Sequence, residues 1–223
     1  MNTIGENIWL LTYPLKKLGV DVQRNVTIIR LHSGQLVIHS TAAFASNDVA
    51  EISALGEPKW LVEAMLDHDT FADEARAAFP DAIYLAPPDF QEKVGFSVYP
   101  ILPAPPAWGA ELEVLAVGGI PSLQEYLFFH APSRTLITAD LVFNFGYDEP
   151  LWAELLLRVA IGSEHHPGMS RPFKAAIKDE AAFKSSMASM LAWDFDRVIV
   201  AHGEPIATGA KEKVAAMLRA AGF

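Results

Sequence analysis

Residues 59–87 read KWLVEAMLDHDTFADEARAAFPDAIYLAP, and the fold turns on how they are parsed. An apolar run, KWLVEAM, passes into a polar loop, DHDT, and then into FADEARAAF, which has helical spacing and stops at Pro80. A second apolar run, AIYLAP, follows and ends at Pro87 and Pro88. Strand, loop, helix, strand is the rhythm of a layered α/β arrangement, and it leaves His68 at the C-terminal end of the first strand. Side chains at such ends are held by the scaffold yet reach the surface, so functional groups collect there.

Toward the N-terminus, residues 7–13, NVTIIRL (25–31) and QLVIHS (35–40) are β-branched or apolar runs, the last two joined by the turn HSG. A helix is predicted from about Asp48 to Leu55, capped by Ser46 or Asn47 and stopped by Gly56 and Pro58. Toward the C-terminus, a proline-rich passage, YPILPAPPAWG, precedes ELEVLAV (111–117), EYLFFHA (125–131) and TLITADLVF (135–143), predicted as a second antiparallel set. From Leu151 to Leu191 the pattern turns helical, with Leu151, Trp152, Leu155, Leu156 and Val159 on one stripe and a boundary at SEHHPGMSRPF. RVIVAHG (197–203) returns to strand, and AKEKVAAMLRAAGF closes with a helix. Two strand-rich halves with helices outside imply one domain over residues 1–223, with a helical insertion at about 150–192.

With 51% hydrophobic and 20% charged residues the chain has ordinary globular composition, which argues against a disordered or highly charged chain. A formal net charge of −10 opposes nonspecific binding to phosphate backbones, so no nucleic-acid partner is expected. There is no cysteine, so any metal must be held by histidine and carboxylate, a donor set that suits zinc, iron or manganese. The opening MNTIGENIWLLTYPL has no basic leader and its apolar run is broken by Thr12 and Pro14, which predicts neither a signal peptide nor a membrane span and makes the cytoplasm the default location. Phosphate-cradling glycine loops and a serine nucleophile elbow are both missing from the sequence.

Three groups stand at the ends of predicted strands: His68, Asp140 in TLITADLVF, and His202 in RVIVAHGEP. His39 and His130 end apolar runs and read as satisfied core or rim histidines. His165 and His166 belong to a polar loop, and adjacent histidines there are usually solvated. Glu125 could reach a pocket, although a charge at a strand edge is the commoner outcome.

NIWLLTYPL, RLHSGQLVIHS, HDTFADEARAAFPDAIYLAP, SRTLITADLVFN and WDFDRVIVAHGEPI, in this order and at this spacing, resemble the metallo-β-lactamase-like hydrolases, and more closely a reduced branch of them, the DUF4336 domain. The resemblance spans nearly the whole chain. It implies an α+β fold, a four-layer αββα sandwich of two mixed sheets with outer helices. In active members a loop H-x-H-x-D-H, a third histidine, a bridging aspartate and a final histidine hold two metals. By the resemblance His68 takes the second histidine position, while Leu66, Thr70 and Phe71 stand where the other loop ligands belong. Ile120, in VGGIPSLQE, replaces the third histidine, Asp140 matches the bridging aspartate and His202 the final histidine. Leu, Phe and Ile donate no lone pair, so a two-metal site cannot form by this alignment.

Two readings follow. In the first, the chain is a metal-dependent hydrolase acting on a small-molecule ester, amide or phosphoester. His68, Asp140 and His202 then hold one divalent ion, and Asp140 and His68 take part in catalysis. In the second, it binds no metal and is an inactive binding or interaction module, with Leu66, Phe71 and Ile120 packed into the former metal pocket. The stripe at residues 151–161 is compatible with a homodimer or with packing on the chain's own core.

Overall fold

Successive side chains of a strand point to opposite faces, so a strand buried on both sides feeds two cores at once. The computed structural model, which describes residues 1–17, 20–145 and 167–223, with the side chains of 17, 20 and 21 left aside, follows this rule in its central strands. Seven strands form the first sheet: β1 (Asn2–Gly5), β2 (Ile8–Tyr13), β5 (Arg24–Arg30), β6 (Gln35–His39), β7 (Glu57–Val62), β8 (Ile83–Ala86) and β9 (Tyr99–Pro100), in that order. The intervening β3 (Lys16–Lys17) and β4 (Val20–Asp21) make a small separate ribbon. The second sheet runs β10 (Leu112–Ala116), β11 (Tyr126–His130), β12 (Thr135–Ile137), β13 (Arg197–Ile199).

In the first sheet Ile29, Val37, Trp60 and Val62 face one way and Ile28, Ile38 and Leu61 the other. The first group meets Phe128, Ile137 and Ile199 of the second sheet, forming the middle of the sandwich. The second group packs under α1 (Ser46–Leu55) and α2 (Ala72–Ala78) through Ile52, Ala72 and Ala75. On the far face of the second sheet, Leu127, Phe129, Leu136 and Val198 are covered by α3 (Arg171–Ala176), α4 (Glu180–Ala192) and α5 (Ala210–Ala221) through Phe173, Phe183, Met187, Val214 and Leu218. Three cores between four layers make an αββα sandwich, and both sheets mix parallel and antiparallel pairs. Among the described residues no helix is long and apolar enough to cross a membrane.

Several predicted boundaries move. The helix capped in the sequence reading by Ser46 or Asn47 begins at Ser46, with Ala45 at the cap and the Asp48 carboxylate accepting from the Ala45 amide at 2.9 Å. Gly56 ends it as expected, whereas Pro58 lies inside β7. TLITADLVF and RVIVAHG are strands only to Ile137 and Ile199, because both chains peel away there into the bends that carry Asp140 and His202. The second sheet is antiparallel through β12, as predicted, and then adds β13 in parallel. Of the helical stretch 151–191, only α3 and α4 fall within the described residues; the stripe from Leu151 to Val159 and the pair His165 and His166 lie outside them.

Candidate metal centre

The three strand-end residues converge. One ligand atom from each of His68, Asp140 and His202 lies within 4.8 Å of the others. His68 Nε2 is 3.2 Å and His202 Nε2 3.6 Å from Asp140 Oδ1, and the imidazole rings stand nearly perpendicular, centroids 5.4 Å apart. Both histidines are buried, while the Asp140 side chain is 23% exposed. The arrangement therefore has one wet side, at the carboxylate.

Each histidine is set by different neighbours. His202 Nδ1 lies 2.6 Å from the Gln23 carbonyl oxygen, which only accepts, so Nδ1 carries a proton and Nε2 is the nitrogen that faces Asp140. Its bend depends on Gly203, whose φ is +92° and whose hydrogen faces the Asn144 carbonyl oxygen, where a Cβ would sit only 2.3 Å away. His68 sits in the loop after β7, and burial, reinforced by the Arg24 charge, holds its pKa down to about 3, so the ring is neutral. Its Nδ1 is buried without a hydrogen-bond partner among the described residues.

A continuous polar stretch heading β5, Gln23–Arg24–Asn25, frames both histidines. Gln23, at φ 57°, offers the carbonyl to His202. Asn25 Nδ2 donates to the carbonyls of Val200 at 2.9 Å and Gly203 at 2.7 Å, clamping the bend that contains His202. Arg24, on the other strand face, is buried, donates to the Thr41 carbonyl at 3.1 Å and pairs with both oxygens of buried Glu63 at 3.0 and 2.9 Å. Thr41 Oγ1 also bonds Glu63. Burial pushes the Glu63 pKa up to about 7, against the pull of Arg24. Sequence reading missed this frame, although it left a signal: polar residues heading an otherwise apolar strand, and one acid inside KWLVEAM.

Glu125 neither sits at an exposed edge nor joins the three-residue cluster. It is fully buried and accepts from the backbone amides of Ala139, Asp140 and Leu141 at 2.8, 3.1 and 3.3 Å. Burial and the nearby Asp140 charge push its pKa up to about 8 against those three donors. It also lines a cavity of about 400 Å³ with Asp89, Ile120, Gln124 and Tyr126. His39 and His130 are core residues, as predicted, but Nε2 of each has no hydrogen-bond partner among the described residues, so the expectation that they are satisfied is corrected. Asp67 and Asp69, flanking His68, face Lys93 at 3.5 and 3.6 Å. Leu66 packs beneath α2 and Ile120 beneath α4, in two separate cores, so they do not form one apolar plug.

The donors fit one cation. With Nδ1 committed to the Gln23 carbonyl, His202 can ligate through Nε2, and His68 can turn Nε2 from donor to ligand by moving its proton to Nδ1, which has no hydrogen-bond partner among the described residues. Two imidazoles and a carboxylate are ligands common to zinc, iron and manganese.

Comparison with solved structures agrees with this architecture. The DIM-1 metallo-β-lactamase exposed to ceftazidime superposes with a TM-score of 0.66 at 16% identity, covering 99% of this chain and 96% of that one. A metallo-β-lactamase from Pontibacter korlensis gives 0.64 at 14% identity over 98% and 97%. The flavodiiron core Flv1 from Synechocystis gives 0.68 at 9% identity, covering 98% of this chain and 60% of that protein. The chain thus has the metallo-β-lactamase fold, with a His–Asp–His cluster at its strand ends. No family model matches the sequence, and no curated protein matches it.

Proposed function

We propose that the chain is a metal-dependent hydrolase with a reduced, mononuclear site held by His68, Asp140 and His202, acting on a small-molecule ester, amide or phosphoester. The observation that carries this reading is the convergence of the three ligand atoms, with the His202 tautomer fixed by the Gln23 carbonyl for ligation through Nε2. When bound, a divalent zinc, iron or manganese ion supplies Lewis acidity and the means of making water nucleophilic near neutral pH. Asp140, the partly exposed member, would orient the attacking water and take its proton, while His68, with its proton on Nδ1, would hold the ion through Nε2 from the buried side. The apolar residues Leu66, Phe71 and Ile120 at the other expected ligand positions support assignment to the DUF4336 branch and argue for one metal rather than two.

The test is elemental analysis of chelator-treated protein after incubation with zinc, iron or manganese. Near one equivalent is expected in the wild type, with loss in His68→Ala and His202→Ala variants that stay folded. Wild-type protein that takes up no metal under any of the three conditions refutes the proposal.

A further inference from the structure

β12 ends at Ile137, and the segment that follows leaves the sheet. Thr138 still donates to the Ile199 carbonyl at 3.0 Å, but the next three amides turn inward, where an unpaired N–H is costly. The Glu125 side chain receives all three, two on Oε1 and one on Oε2. Its own carbonyl accepts from Val117 at 2.9 Å, fixing it to the end of β10. The adjacent Tyr126 amide donates to Ala64 at 2.8 Å, and the Leu66 amide donates to Leu123 at 2.9 Å, so the same short segment also holds the loop leading to His68.

Building on the metal-site reading, we propose that Glu125 is a positioning residue that aims Asp140 at His68 and His202. The choice of side chain argues for more than loop closure. Three inward amides need two acceptor oxygens, which a carboxylate has and a carboxamide lacks. The middle one of those amides belongs to Asp140 itself, so the 3.1 Å bond to Glu125 fixes the residue whose Oδ1 lies 3.2 Å from His68 Nε2 and 3.6 Å from His202 Nε2.

The experiment compares wild type with Glu125→Gln and Glu125→Asp by amide hydrogen exchange, by the ¹⁵N shift of His68 Nε2, and by cobalt(II) titration followed by absorption. Glu125→Gln replaces an acceptor with a donor; Glu125→Asp keeps both acceptor oxygens but shortens the reach. Expected for Gln are exchange at residues 139–141 about tenfold faster or more, with the rest of the second sheet protected as before. A displaced His68 resonance and cobalt binding weakened roughly 10- to 100-fold should accompany it. Glu125→Asp should recover part of the cobalt affinity, which is also the decisive readout if the Gln variant does not fold. Unchanged exchange, His68 resonance and cobalt affinity in the variants overturn the inference. Should wild-type cobalt binding fail, the metal reading falls. The positioning role is then decided on metal-free protein by the exchange and the His68 resonance alone.

Discussion

Removing one partner of the Arg24–Glu63 pair should be far more damaging than removing both. The two groups are 3% and 0% exposed and touch at 2.9 and 3.0 Å, so either charge left alone is stranded away from water. Arg24→Met strands Glu63, and Glu63→Gln strands Arg24; each should lower the unfolding free energy by about 3–5 kcal/mol. The double variant strands no charge. It loses the Arg24 donation to the Thr41 carbonyl at 3.1 Å and weakens the Thr41 hydroxyl contact, for a net cost of about 1–3 kcal/mol. The coupling energy from the cycle, the sum of the two single costs less the double cost, is then about 5–7 kcal/mol. Urea unfolding of all four proteins at one pH, read as midpoint and slope, measures it. A coupling below about 1 kcal/mol would refute the view that this pair is a desolvated unit bracing the His68 loop, and would class it with solvent-screened ion pairs.

Two further perturbations follow from the same geometry. Burial holds His39 at about 3 and His130 at about 4, below the ordinary value of 6.5. The unfolded chain therefore binds more protons below pH 6.5; the stability each neutral ring contributes is complete above that pH and is lost as pH falls toward the folded values. By pH 5 each should cost about 2 kcal/mol, and urea midpoints measured from pH 8 to pH 5 should fall less steeply in His39→Phe; an unaltered slope contradicts the assignment. Gly203→Ala forces a Cβ to 2.3 Å from the Asn144 carbonyl oxygen at φ +92°, so the bend must open. A loss of about 2 kcal/mol or more in unfolding free energy is expected, together with lost metal uptake; full retention of both would show that the bend tolerates a side chain.

The sandwich was legible because its strands are two-faced. Runs such as NVTIIRL and YLFFH alternate between two apolar cores, and that continuity, punctuated by Gly56, Pro80 and the HSG turn, marks buried strands whatever their partners. His68, Asp140 and His202 were legible because each directly follows such a run. What stayed hidden is pairing across long sequence separation. Nothing local to Asn25 says that it will hold carbonyls 175 and 178 residues away, and Arg24 looks like any charge before a strand until Glu63 faces it. Glu125 misled for the same reason: the amides that bury it belong to a bend whose departure from β12 the apolar run TLITADLVF conceals.

The geometry of the three candidate ligands also carries a thermodynamic consequence. His202 Nε2 and Asp140 Oδ1 lie 3.6 Å apart, with His202 anchored by the Gln23 carbonyl and the Asp140 amide by Glu125, so the ligand atoms of the proposed site are held in place before any ion binds. A ligand that binds only the folded chain stabilises it by an amount set by its concentration relative to Kd, about 2.7 kcal/mol at a hundredfold excess. For a chain of 223 residues that corresponds to a rise in Tm of roughly 5–10 °C. Calorimetry with zinc or manganese should show this rise in the wild type and none in His202→Ala. An equal rise in both proteins would place the bound ion elsewhere, because without the His202 imidazole only one nitrogen ligand remains beside Asp140.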